Sequence, residues 1–199
     1  MDTTAIHRII EQQAALHGDV AALADGERVL TYRDLNQRAN TVVRCLIAHG
    51  FRRGATAVIN MPRSMQLAVV CLGVLKAGGA YAWLDGDPTW PHGISIPQGR
   101  GDGDEMKVLA IDLTSVLNAR SQSSANLPIL TRSSDIACII GAPDGTPVLV
   151  PHSTVTALQA NTYPAQPSWT EDLGALDLWV GLMAGATVTM TPQSARTAA

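Results

Sequence analysis

Residues 56–84, TAVINMPRSMQLAVVCLGVLKAGGAYAWL, decide the fold. TAVINM (56–61) is a short apolar run and reads as a buried strand. Pro62 to Ala77 reads as a helix closed by Gly78 and Gly79, and AYAWL (80–84) as a second strand. Strand, helix and strand in that order predict a right-handed parallel crossover. The fold class is therefore α/β, a parallel or mixed sheet flanked by helices. Lys76, in the last turn of the helix, is expected to lie in solvent, where a cation suits the helix dipole.

Working towards the N-terminus, Thr31 and Asp34 have capping-box spacing, opening a helix whose apolar side carries Leu35, Ala39, Val42, Val43 and Leu46. Gly50 ends it. Before that, VAALADGERVLTY gives two apolar runs about Asp25-Gly26, a hairpin signal. Ile6, Ile9, Ile10 and Ala14 recur at helical spacing, so an amphipathic helix runs to about His17-Gly18.

Working towards the C-terminus, residues 86–105 are dense in Gly, Pro and Asp and predict a long irregular loop. The RGD at Arg100–Asp102 is read as a chance tripeptide of that loop. MKVLAIDL (106–113) predicts a strand, NARSQSSANLP (118–128) a polar link, and 135–140 another strand. CIIGAPDGTPVLVPHS (138–153) then places a turn between two apolar runs, with a helix from about Ser153 to Asn161. DLGALDLWVGLMA (172–184) has an apolar helical face, and Gly185 leads into the strand TVTM. One domain over 1–190 and a flexible tail over 191–199 are expected.

The totals exclude several functions. A formal charge of −3 gives no basic footprint for nucleic acid or an anionic membrane. No apolar run approaches the ~20 residues of a membrane span, and no signal peptide opens the chain. Cys45, Cys71 and Cys138 are widely spaced in apolar stretches, which suits small core residues rather than disulfides or metal ligands. The five histidines do not pair at ligand spacing, so no metal is expected, and a reduced, cytoplasmic setting follows.

Three segments resemble the adenylation domains of nonribosomal peptide synthetases, members of the acyl-adenylate-forming, AMP-binding superfamily. LTYRDLNQRAN (30–40) resembles L-T-Y-x-E-L-N-x-x-A-N, and LKAGGAYAWLDGDP (75–88) resembles L-K-A-G-x-A-Y-V-P-L-D-P. DLGALDLWVGLMAGATVTM (172–190) resembles F-D-x-S-V-x-E-I-x-x-A-L-L-x-G-A-T-L-V-L. The resemblance implies the N-terminal core of such enzymes and a role in antibiotic or other secondary metabolism. Thr31, Tyr32 and Leu35 are nonetheless expected to fix a helix start rather than touch a ligand, and Trp169 and Trp179 to pack.

The family joins a carboxylate to the α-phosphate of ATP, holding the anions with Mg²⁺, basic residues and a loop T-S-G-S-T-G-x-P-K-G-V-x-V-x-H. Aligning Gly145, Pro147 and His152 with its last loop glycine, proline and histidine puts Ile140, Gly141, Ala142, Pro143 and Asp144 where hydroxyl-rich residues belong. The lysine–glycine pair is missing between Pro147 and Val148. Pro143 has no N–H for a phosphate oxygen. Asp144 would repel one, by about 1 kcal/mol per charge pair at ~4 Å in water and about 4 kcal/mol at an effective dielectric of ~20. A Mg²⁺ bridge from Asp144 is the one rescue, and a single carboxylate is a poor substitute for the full cradle.

The family's later adenine-side, ribose-binding and catalytic-lysine segments have no counterpart before Ala199. The resemblance thus implies a truncated, catalytically inactive module with ATP and Mg²⁺ binding lost. Its expected partners are other peptide-synthetase domains or an adenylation domain in trans, with a homodimer as a further candidate. An exposed apolar surface is expected where the missing half would pack. The alternative is residual amino-acid or nucleotide binding, with adenylation completed only by a partner. Asp172 aligns with the aspartate that pairs with the substrate amino group, and Leu173 and Leu176 would line that pocket. A helix cap is the competing role for Asp172.

Overall fold

The computed structural model describes residues 5–84, 93–98, 107–111, 125–128, 131–141, 146–161, 168–169 and 174–190. Helix α1 spans Ile6–Leu16, the hairpin β1 Ala21–Asp25 and β2 Arg28–Thr31, and helix α2 Tyr32–Ala48. The crossover follows as β3 Thr56–Asn60, α3 Met65–Lys76 and β4 Ala80–Trp83. Strands β5 Gly93–Gln98, β6 Lys107–Ile111, β7 Ile136–Gly141 and β8 Pro147–Pro151 complete the larger sheet. Helix α4 His152–Asn161, strand β9 Ser168–Trp169, helix α5 Gly174–Met183 and strand β10 Val188–Met190 follow.

A six-stranded sheet runs β6-β5-β3-β4-β7-β8 and a four-stranded sheet β2-β1-β10-β9. Strands β3, β4 and β7 are mutually parallel, as are β1, β10 and β9. The outer strands of the larger sheet add antiparallel. The α/β class with a mixed sheet and flanking helices is thereby established.

Helix α3 is buried at every residue from Leu67 to Lys76, as expected of a helix apolar all round. It begins three residues later than Pro62, because Ser64 caps it by accepting the Leu67 N–H at 3.2 Å. Its end explains the double glycine. Gly78 takes φ +78°, a left-handed terminus that disfavours a side chain. Gly79 is pressed against Phe51, where a Cβ would overlap the ring and stand 2.6 Å from the Ala55 carbonyl oxygen. Thr31 caps α2 as predicted, accepting the Asp34 N–H at 3.1 Å.

The three segments that carried the resemblance meet in the core. The Tyr32 hydroxyl stands 2.9 Å from the Leu182 carbonyl and 2.8 Å from that of Ala186, which places one donor between the last turn of α5 and its exit. Trp179, fully buried as expected, donates its indole N–H to the Tyr81 hydroxyl at 2.8 Å. Cys71 and Cys138 are free and buried.

Two expectations are corrected. Residues 93–98, inside the predicted irregular loop 86–105, form β5, antiparallel to β3 through Val58–Ser95 and Ile59–Ile94. Its apolar alternation is only ISI between proline-rich flanks, too short to register against that composition. Lys76 is not solvated but 4% exposed. Packing against α1 and α2 closes over the end of α3, so its cation is paired inside the protein.

Candidate functional site

The loop under suspicion lies between β7 and β8. These strands pair antiparallel from Ile136–Pro151 to Gly141–Pro147, so the segment is a hairpin at the border of the larger sheet. Gly141 is exposed, with open space where a Cβ would stand. Ala142, Pro143, Asp144 and Gly145 lie outside the described residues, as do Asp172 and Leu173. Leu176, on α5, packs partly buried against the core. That helix feeds the smaller sheet, whereas Gly141 belongs to the larger one.

Because β3, β4 and β7 are parallel, Asn60, Trp83 and Gly141 share the carboxyl ends of the strands, where open α/β sheets hold ligands. The Arg63 guanidinium lies 4.8 Å from the Trp83 ring centroid, a cation–π stack. The Trp83 indole N–H is itself fixed by the Met61 carbonyl at 2.7 Å. Sequence reasoning missed this cation, whose only signal was its place just after a strand.

His152, the residue aligned with the family's loop histidine, starts α4 and is wholly buried. Its Nδ1 accepts the Ile6 N–H at 3.3 Å, which places the ring proton on Nε2. His7 packs edge-on against it with ring centroids 5.8 Å apart. Burial pushes the His152 imidazole down to about 4, and the Asp135 carboxylate pulls weakly the other way. Burial, then the charges of His152, Lys76 and Arg8, push His7 well below its ordinary value. Both rings are neutral at pH 7. His152 thus ties the base of the hairpin to α1 through Nδ1, a pairing that spacing along the chain could not reveal.

The Lys76 ammonium donates to Glu11 Oε1 at 2.6 Å, Asn36 Oδ1 at 2.6 Å and Asn126 Oδ1 at 3.0 Å. Burial lowers its pKa, against the opposing pull of Glu11 and their hydrogen bond. Asn126 also accepts from Asn36 and Asn40, and Arg44 donates to the Ala125 carbonyl at 2.7 Å. The predicted polar link therefore ends in a clamp on α2 and α3.

At the opposite, amino ends of the strands, a groove of about 620 Å³ is lined by Arg53, Thr56, Ala80, Asp135, Ile139 and Leu149, among others. Arg53 pairs with Asp135 at 3.0 Å. Burial pushes the Asp135 carboxyl up, but the Arg132 N–H and the Arg53 guanidinium outweigh it and hold it below the ordinary value. Among the described residues no cluster of His, Cys, Asp and Glu could hold a metal ion, and no helix is long and apolar enough to cross a membrane.

Residues 10–92 match the family model described as AMP-binding enzyme. Bacitracin synthase 1 of Bacillus licheniformis is 33% identical over 171 residues, 79% of this chain. Residues 10–92 are thus similar to AMP-binding enzymes. The match spans only 3% of the length of bacitracin synthase 1. Among solved structures, the nonribosomal peptide synthetase FmoA3 in its AMPPNP-bound form gives a TM-score of 0.76 at 20% identity, over 95% of this chain and 23% of that one. The N-terminal subdomain of Klebsiella oxytoca NpsA, in complex with 3-hydroxyanthranilyl-AMSN, gives 0.72 at 18% identity, over 94% of this chain and 53% of that one. The fold of this chain is thus shared with the N-terminal subdomain of adenylation domains.

Proposed function

We propose that this chain is a non-catalytic adenylation-like module of a cytoplasmic peptide-synthetase assembly, acting as a structural and docking platform for neighbouring domains or for an adenylation domain in trans. The observation that carries the reading is the disposition of its cations and of the hairpin. Only two lysines exist, Lys76 and Lys107. Lys76 is buried in its bond to Glu11, while Lys107 pairs with Gln98 in the β5–β6 ladder. Five residues separate Gly141 from its cross-strand partner Pro147, and they include Pro143 and Asp144 but no lysine. By residue type the segment offers a phosphate a carboxylate and a proline, which has no N–H, in place of a lysine and hydroxyls. The histidine aligned with the family loop is occupied in the core.

Differential scanning fluorimetry with Mg²⁺-ATP, AMP and the common amino acids tests the reading. The expected result is no ligand-dependent rise in Tm at millimolar concentrations. A saturating rise with AMP or Mg²⁺-ATP, or amino-acid-dependent exchange of pyrophosphate into ATP, overturns it.

A further inference from the structure

We infer that α1 is an acid-released clasp: protons taken up by the His7–His152 pair free it from the body of the fold while the two sheets stay folded. Helix α1 carries polar ties to three separate parts of the molecule. The Ile6 N–H goes to His152 Nδ1 at the base of the hairpin. Glu11 takes the Lys76 ammonium of α3, and Gln13 Nε2 donates to the Met183 carbonyl at the end of α5, at 2.9 Å. One helix of 11 residues thus reaches the hairpin of the larger sheet, the crossover and the helix that feeds the smaller sheet.

The imidazole pair is the part of this seat that acid addresses. Both rings are buried, with centroids 5.8 Å apart. Among the described residues, neither ring nitrogen of His7 nor Nε2 of His152 has a hydrogen-bond partner. A proton added to either ring therefore arrives without an acceptor, and on His152 it takes the lone pair that holds Ile6. The charges around the pair do not relieve this. Lys76 of α3 and Arg8 of α1 oppose a charge on His7, and Asp135, just before β7, pulls the other way on His152. Glu11 is taken up by Lys76 and Arg8. Arg44 of α2 acts on Lys76 instead, and Asp177 of α5 on neither ring.

Release stops at α1 because the rest of the fold is tied by other chemistry. The His152 backbone N–H is held by the Asp135 carbonyl at 3.0 Å, so the ring stays with the hairpin when α1 leaves. The body is held by Tyr32 on the Leu182 and Ala186 carbonyls and by Trp179 on Tyr81. Phenols, indoles and amides do not change charge between pH 7 and pH 4. Burial of Ile6 and Ile10 keeps α1 seated at neutral pH. His152 titrates at about 4 in the seated state and at its ordinary 6.5 once released, so the seated state loses ground as pH falls. From pH 7 to pH 5 the released fraction rises about 20-fold.

Native-state hydrogen exchange of the full 199-residue chain in low urea, at pH 7, 6 and 5 and corrected for intrinsic exchange rates, tests the clasp. The expected result is an α1 opening that depends little on urea and grows about 20-fold between pH 7 and pH 5. Amides of β3 and β4 should exchange only through global unfolding, with its steep dependence on urea. His152→Gln, shown to fold by its Tm at pH 7, should remove most of the growth. His7→Phe, which replaces a ring with no hydrogen-bond partner, should remove part of it and carries the test if His152→Gln does not fold. One shared protection and urea dependence for α1, β3 and β4 at pH 5 overturns the inference, since acid then acts only on the fold as a whole. So does an α1 opening indifferent to pH, or one that grows unchanged in the folded variants.

Discussion

Lowering the pH from 7 to 5 should destabilise this protein through the His7–His152 contact, and the size of the effect follows from the structure. The unfolded chain binds a proton on His152 near its ordinary 6.5, whereas the folded chain refuses it until about 4. The stabilisation is complete above pH 6.5 and is lost as pH falls from there towards 4, because in that window the unfolded state binds more protons. Integrating between pH 7 and pH 5 gives a loss of about 2 kcal/mol from His152 alone. His7, also pushed down by burial, adds with the same sign. The mechanism is local: a protonated His152 cannot accept the Ile6 N–H, and its charge would be buried away from water. Urea titrations followed by circular dichroism at pH 7, 6 and 5 measure the loss. His152→Gln keeps an acceptor for Ile6 without a titrating ring, so its dependence on pH should shrink by about 2 kcal/mol over the same range. Equal stability at pH 7 and pH 5, or an imidazole titrating near 6.5 by NMR, would refute the reasoning. Carboxylates such as Asp135, held below their ordinary value, lose their contribution only at lower pH.

Two further changes probe the packing of the crossover. Lys76→Met leaves Glu11 buried beside Arg8 alone and should cost about 3–5 kcal/mol by urea denaturation, much of it recovered when Glu11→Leu is added. Gly79→Ala drives a methyl into Phe51 and the Ala55 carbonyl, and should lower stability by about 1–3 kcal/mol in the same assay.

Local chemistry made most of the elements legible. The Thr31 cap, the Asp25-Gly26 hairpin, the crossover 56–84 and the apolar helix 174–183 are each written in a stretch shorter than twenty residues or in simple succession. The hairpin reading of 138–151 also held, since two apolar runs about a Gly/Pro turn have few other ways to pair. β5 was missed because its flanks are rich in the residues that mark loops, and a ladder with β3 outweighed them.

The candidate site divides along the same line. Sequence alone determined the family resemblance, the missing lysine–glycine pair and the presence of Pro143 and Asp144, because these are matters of residue identity and order. Only the tertiary structure decided where the remaining chemistry went. Lys76 looked like a solvated helix end and is an internal ion pair with Glu11, contributed by α1. His152 looked like a survivor of a nucleotide loop and holds α1 in place through Ile6. Arg63 went unnoticed and stacks on Trp83 at the carboxyl ends of the strands. Charge placement depends on which distant segments fold over a residue and exclude water from it. No spacing along the chain encodes that.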